Sequence, residues 1–186
     1  AVIDNDIICV EELKEGRRRW IRFGLEKAAI EDFVLYNEHT RDTEREVLIK
    51  SLKDGKNVFL MSDCGLPAFC DPGQDLVNRC HELNIKVTSA PFGNSIALAV
   101  ALSGFDHSRF IFEGFVPRKP GVREKFFEKL KNETGTIIVF ETQHRILKTL
   151  LAIQKTMGNR QIVLTRELTK INEEILRGNV EELSQV

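Results

Sequence analysis

Asn57-Val58-Phe59-Leu60-Met61 runs directly into Ser62-Asp63-Cys64-Gly65-Leu66-Pro67-Ala68-Phe69-Cys70-Asp71-Pro72-Gly73. The first part is a short apolar run between turn residues, which predicts a buried strand. The second part is a loop rich in Gly, Pro and Asp. From Gly73 onward Leu76, Val77, Cys80 and Leu83 mark one helical face. Strand, loop and helix in that order put the loop at a strand's carboxyl end, where ligands collect in open α/β sheets. Gly65 lets a backbone approach closely, and the prolines narrow the loop's freedom. Asp71 is expected to cap the helix, with Pro72 in its first turn. The same residue types equally build a tight structural connection.

The rhythm extends in both directions. Upstream, Asp6–Val10 and Phe33–Tyr36 read as strands, with a helix from Leu13 to about Phe23 carrying Arg17, Arg18, Arg19 and Arg22. A further helix buries Val47, Leu48 and Leu52, with Asp42 or Thr43 as its cap. Downstream, Ile85–Thr88 reads as a strand, followed by the loop Ser89–Ser95, in which Ser95 is expected to cap an apolar helix over Ile96–Leu102. Beyond a boundary between Ser103 and Arg109 come strands at Phe110–Phe112, Gly135–Phe140 and Gln161–Thr165. Helices are expected at Arg123–Lys131 and Arg145–Thr156, and Glu173–Val180 reads as helix and turn. The alternation in the first half predicts a mostly parallel sheet covered by helices, and the chain reads as an α/β fold with a division into 1–106 and 107–186.

Composition narrows the function classes. Net charge is −1, so bulk electrostatics does not draw the chain to nucleic acid. Cys9, Cys64, Cys70 and Cys80 are too irregularly spaced for a disulfide scaffold or a structural zinc site, and read as reduced thiols. No His and carboxylate spacing suggests a metal. Apolar stretches fall short of the roughly 20 residues a membrane span needs, and with no signal-peptide pattern a cytoplasmic location is expected. The Asp63 loop matches neither a Walker loop nor a dinucleotide glycine fingerprint, which argues against a phosphate-dominated cofactor.

Ser62–Pro67, Asp71-Pro72-Gly73 and Pro91-Phe92-Gly93-Asn94-Ser95 resemble the cofactor-side motifs of the tetrapyrrole methylase superfamily. Ala101–Phe105, Phe112–Lys119, Phe140–Arg145, Thr165–Lys170 and Glu173-Glu174 with Arg177-Gly178 resemble the branch that methylates ribose 2'-oxygens of small-subunit ribosomal RNA. The resemblance implies a two-lobed tetrapyrrole-methylase-like fold with S-adenosylmethionine in a cleft between the lobes, and a homodimer. It also implies that Asp63, Cys64 and Gly65 meet the methionine part of the donor, that Ala90 and Ser95 line the same site, and that Phe140 approaches the adenosine. The family's opening strand and glycine loop have no counterpart here, so the first lobe is expected to lack them. Glu11-Glu12-Leu13-Lys14 stands where the branch has Glu-Asp-Thr-Arg, Cys64 and Phe92 replace Ala and Pro, and Phe140 replaces Tyr.

Charge and chemistry supply the remaining expectations. Glu141 and Arg145 follow a strand end and are expected as proton acceptor and phosphate holder; an ion pair between the lobes is the structural alternative. Glu38 is expected at the substrate side or at a subunit contact. Between Arg109 and Arg177 there are 14 Lys or Arg against 8 Asp or Glu, densest at Arg118, Lys119, Arg123 and Lys125. Arg118 and Arg123 are therefore expected to hold RNA phosphates, with a solvated helix face as the alternative. The expected function is methylation of small-subunit ribosomal RNA, with the RNA or the small subunit as partner and no membrane. Methylation of a tetrapyrrole or other small molecule, and non-catalytic binding of donor or RNA, are the competing readings.

Overall fold

A computed structural model describes residues 6–63, 65–89 and 93–185. The backbone divides into two units, Ala1–Phe92 and Gly93–Val186. Cys64 and Ala90 lie outside the described residues, as do Pro91 and Phe92.

The first unit contains β1 (Ile7–Val10), α1 (Leu13–Arg22), β2 (Val34–Leu35), α2 (Arg41–Lys53), β3 (Val58–Met61) and α3 (Gln74–Glu82). Its three strands are parallel in the order β2-β1-β3, with Cys9 opposite Val34 and Leu60. The central strand is apolar on both faces because both are covered. Cys9 packs with Tyr36, Leu48, Ile49, Leu76 and Cys80, the last four residues coming largely from α2 and α3. Its neighbours Ile8 and Val10 point the other way, onto Trp20 of α1 and Phe33. Beneath α2 the buried Tyr36 hydroxyl donates to Asp75 at 3.0 Å, and Arg45 donates to the same carboxylate at 3.1 Å. Burial pushes the Cys9 thiol up to about 12, so it stays protonated and inert.

The second unit contains α4 (Ser95–Ser103), β4 (Phe110–Phe115), α5 (Pro120–Leu130), β5 (Thr136–Phe140), α6 (Ile146–Met157), β6 (Gln161–Arg166), β7 (Glu174–Asn179) and α7 (Val180–Leu183). β4 and β5 pair in parallel, and β6 and β7 antiparallel, so the sheets are mixed. Val116, Phe127, Leu130 and Ala152 form the core where α5 and α6 meet, with Ile111, Ile137 and Val139 of the parallel strands packed against it.

Several expectations are corrected. Ile85–Thr88 forms no strand: Ile85 closes α3 by donating its N–H to Cys80 and packs into the core, while Val87 is exposed. Glu174–Asn179 is a strand, since pairing with β6 from Gln161–Asn179 to Arg166–Glu174 decides its conformation. Asp71 is not the cap of α3; Gly73 occupies that position with φ of 130°. The cap of α4 is Asn94, which accepts N–H bonds from Ile96 and Ala97 at 2.8 and 3.1 Å, and Ser95 is the first helical residue. At α2 the cap position falls to Thr40, whose hydroxyl instead donates to the Leu35 carbonyl.

Candidate functional site

In the first unit the three parallel strands end on one edge, at Glu11, Tyr36 and Ser62. Here β3 leads into the stretch from Ser62 to Gly73. Gly65 has φ of 83°, a conformation glycine adopts without strain, and Ala68 and Cys70 adopt φ of 62° and 65°. Such left-handed non-glycine residues cost on the order of 1–2 kcal/mol each and concentrate at functional sites. Gly73 has φ of 130°, a backbone conformation that L side chains rarely adopt, and a Cβ there would also press on Leu60 Cδ2 at 2.6 Å.

This edge is acidic. The Asp63 N–H donates to the Glu11 carboxylate at 3.2 Å, and the Ser62 hydroxyl donates to the Gly65 carbonyl. Burial raises the Asp63 carboxyl above its ordinary range; Glu11 and Glu12 push further, against Arg19. Asp71 is raised by burial and by Glu11, against a bond from Ser62, and its Oδ2 is buried without a partner among the described residues. Carboxylates that resist ionisation for want of counter-charge suit a ligand that brings a positive charge. Among the described residues no group of three or more His, Cys, Asp or Glu is arranged to hold a metal ion. Glu38 is exposed in the turn after β2, beside Asn37, whose side-chain oxygen accepts from the N–H groups of His39 and Thr40. Glu11 was missed as a site residue, although it follows an apolar run just as Ser62 does.

In the second unit β4 and β5 end together, and most of the remaining expected residues gather there. Phe140, the last residue of β5, packs edge-on against Phe112 at 4.8 Å and tilted against Phe115 at 5.4 Å. Only 4% of the Glu141 side chain is exposed, and one oxygen takes the Thr149 hydroxyl at 2.6 Å and Arg145 at 3.1 Å. The other oxygen accepts the Thr142 N–H at 2.7 Å. Arg145 also donates to the carbonyls of Val116 and Pro117 at 2.6 and 3.2 Å, tying the exit of β5 to the exit of β4. Glu141 and Arg145 do form an ion pair, but within the second unit and four residues apart, not between the lobes as the alternative had it. Nearby, Gln143, Arg166, Glu167 and Asn172 line an open cavity of about 580 Å³.

The two expected phosphate-binding arginines differ in surroundings. Arg118 is exposed in the β4–α5 loop, but Arg123 is 8% exposed and does not stand on the surface. It begins the inward stripe Arg123-Phe127-Leu130 of α5, an i, i+4, i+7 spacing that the sequence already displayed. Ser95 is exposed at the start of α4.

Comparison with known proteins bears on this arrangement. The family model of the Tetrapyrrole (Corrin/Porphyrin) Methylases matches residues 10–184. The chain belongs to this family. Among the chain's relatives, a Thermotoga maritima protein named ribosomal RNA small subunit methyltransferase I is 35% identical over 95% of the chain and 78% of its own length. A protein of the same name from Pasteurella multocida is 36% identical over 97% of the chain. The chain spans 63% of that relative, and a similar share, below two thirds, of those from Synechocystis and Bacillus subtilis. A crystal structure of an Entamoeba histolytica protein assigned as a diphthine synthase aligns with the whole chain and 78% of its own, with a TM-score of 0.60. At 14% identity that likeness speaks for the fold alone.

Proposed function

We propose that the protein is an S-adenosylmethionine-dependent methyltransferase that modifies ribose 2'-oxygens of small-subunit ribosomal RNA. The observation that carries this reading is the match, at 35–36% identity across nearly the whole chain, to proteins named for methylation of that RNA. The site chemistry agrees with it. When bound, the donor supplies an activated methyl group on a positively charged sulfur. Asp63, Cys64 and Gly65 at the acidic strand exit, with Ala90, Ser95 and Phe140, are assigned to hold it. The raised carboxyl of Asp63 and the orphaned oxygen of Asp71 fit a cationic ligand.

Glu38, Arg118 and Arg123 are assigned to the RNA side. Glu141 and Arg145 were expected as catalytic groups. In this reading they hold the two strand exits of the second unit together, because both oxygens of Glu141 are already engaged. Alignment of the ribose hydroxyl with the methyl carbon supplies much of the acceleration in such a transfer. A donor cleft between two lobes, a homodimer and a cytoplasmic location complete the proposal.

The test is transfer of labelled methyl groups from S-adenosylmethionine to small subunits purified from cells lacking the gene. Label is expected in RNA, in dinucleotides that resist alkali because the 2'-oxygen is blocked. Label in an added tetrapyrrole and none in RNA would establish the small-molecule reading instead.

A further inference from the structure

Phe115 stands where strand alternation would not put it. Residues 111, 113 and 115 of β4 would share one face, and Ile111 packs into the core where α5 and α6 meet. The ladder slips before that point. Phe112 lies opposite Ile138 and Phe115 opposite Phe140, so three steps along β4 match two along β5. The extra residue makes a β-bulge, and Gly114, with φ of 69°, supplies a left-handed backbone within it. The bulge turns Phe115 onto the face of Phe112, tilted against Phe140 at 5.4 Å, and leaves it 58% exposed. Val116 takes the buried place instead. A phenylalanine thus forgoes burial while a smaller side chain fills the core, which packing alone does not favour. Bulges beside functional sites commonly re-aim a side chain in this way.

The backbone around the ring is held in place. The Val116 N–H donates to the Phe140 carbonyl at 3.1 Å, and Arg145 donates to the carbonyls of Val116 and Pro117 at 2.6 and 3.2 Å. Arg118 and Lys119 come next in the chain, and both are exposed. Among the described residues neither pairs with a carboxylate, whereas Arg109, Arg145 and Lys155 of the same unit pair with Glu133, Glu141 and Glu124. An exposed aromatic ring on a clamped backbone, followed by unpaired cations, suits an unpaired stretch of nucleic acid: the ring stacks on a base and the cations meet the backbone. These cations argue for a polyanion over a second copy of the chain, whose contact would have to strip them of water.

We propose that Phe115 is a stacking platform for one unpaired nucleobase of the substrate RNA, with Arg118 and Lys119 neutralising phosphates of the same segment. The proposal rests on the RNA reading above and deepens it. A ring stacks on the flat face that every base has, so the platform positions the strand and reads no sequence. It favours RNA whose bases are free of one another over a continuous duplex.

The test uses the full-length protein and a single-stranded small-subunit RNA fragment. Phe115→Leu should weaken that RNA about 10-fold, in the range of one lost base stack, and Phe115→Trp should restore it to within about threefold of wild type. Stacking releases no counter-ion, so Phe115→Leu should leave the slope of log K against log salt unchanged, while Arg118→Ala should reduce it by about one. Trp20 is the only tryptophan of wild type, so the added emission of Phe115→Trp reports on the platform directly. RNA should quench it, and S-adenosylmethionine should not. Quenching by the donor and not by RNA would overturn the RNA base as occupant in favour of the donor's adenine. Unchanged RNA affinity in Phe115→Leu, with a shift to smaller species in sedimentation, would overturn it in favour of a contact between copies. No quenching by RNA and no loss of affinity would overturn the platform itself, and the quenching decides even if Phe115→Leu folds poorly. Phe115-dependent RNA affinity in a wild type that transfers no methyl group would remove the proposed function and leave the platform standing.

Discussion

The parallel strands of the first unit end among carboxylates, and those of the second unit end among arginines. At the first edge Glu11, Asp63 and Asp71 crowd together, and burial raises the last two above their ordinary range. At the second, Arg118 and Lys119 stand exposed before α5, while Arg145 is held by Glu141 and two carbonyls. The same strand-exit geometry thus serves opposite electrostatics. A net charge of −1 conceals this division, because it sums over two edges suited to ligands of opposite sign. Under the proposed function the acidic edge would meet the cationic methyl donor and the basic one the RNA.

The largest effect is expected where the second edge is locked. Arg145→Met leaves Glu141 buried with its charge uncompensated, a loss of about 3 kcal/mol by the usual cost of breaking a buried pair. Denaturation by urea, followed by circular dichroism, measures it; a loss below about 1 kcal/mol would show that the pair does not anchor the two exits.

Next in size is a pair of substitutions that should separate the edges. Asp63→Ala removes a charge-assisted contact and should weaken S-adenosylmethionine about 10- to 100-fold without altering RNA affinity. Arg118→Ala should weaken RNA a few-fold, less so at high salt, and leave the donor untouched. Calorimetry and filter binding read the two ligands separately. If both variants lost the same ligand, the division of charge would have no functional meaning.

A smaller effect checks the helix that opens the second unit. Asn94→Ala should cost about 1 kcal/mol, since the side chain accepts two N–H bonds of α4. Ser95→Ala should cost much less. Equal losses would return the cap to Ser95, where sequence reasoning had placed it. Ser and Asn stand side by side here, and only the turn geometry decides which one precedes the first helical residue.

That example is representative of what was legible. Strands such as Val58–Met61 and Thr136–Phe140 were visible because each is an apolar run between turn residues. β7 was not, because its conformation comes from pairing with β6, which no local pattern encodes. At the site, sequence located the loops but not the state of their side chains. Sequence left Glu141 and Arg145 open between catalytic groups and an ion pair between lobes, whereas the structure pairs them within one unit. Arg123 looked like part of a surface charge run because Lys119 and Lys125 flank it; its spacing to Phe127 and Leu130 was the stronger signal.

The smallest expected effect is also the one that contrasts the two units most directly. Asp71 in the first unit has a carboxyl raised by burial, so the folded state holds its proton to higher pH than the unfolded chain does. Its contribution is most favourable below the ordinary aspartate range and is lost as pH rises through the raised value. Glu133 in the second unit is held below its ordinary range by N–H bonds, first from Gly135 and also from Thr134, and by Arg109. Its contribution is present above the ordinary glutamate range and is lost as pH falls. Melting temperatures of Asp71→Asn and Glu133→Gln, each taken as a difference from wild type between about pH 3 and pH 7, should therefore slope in opposite directions. Relative to wild type, Asp71→Asn should gain stability as pH rises and Glu133→Gln should lose it. Donor binding adds a further sign: protonating Asp63 removes the charge a cation needs, so acid that favours the fold of the first unit should weaken its hold on S-adenosylmethionine. Parallel slopes in the two variants would mean that burial and hydrogen bonding do not set these carboxyls apart, and the acidic edge would lose its physical basis.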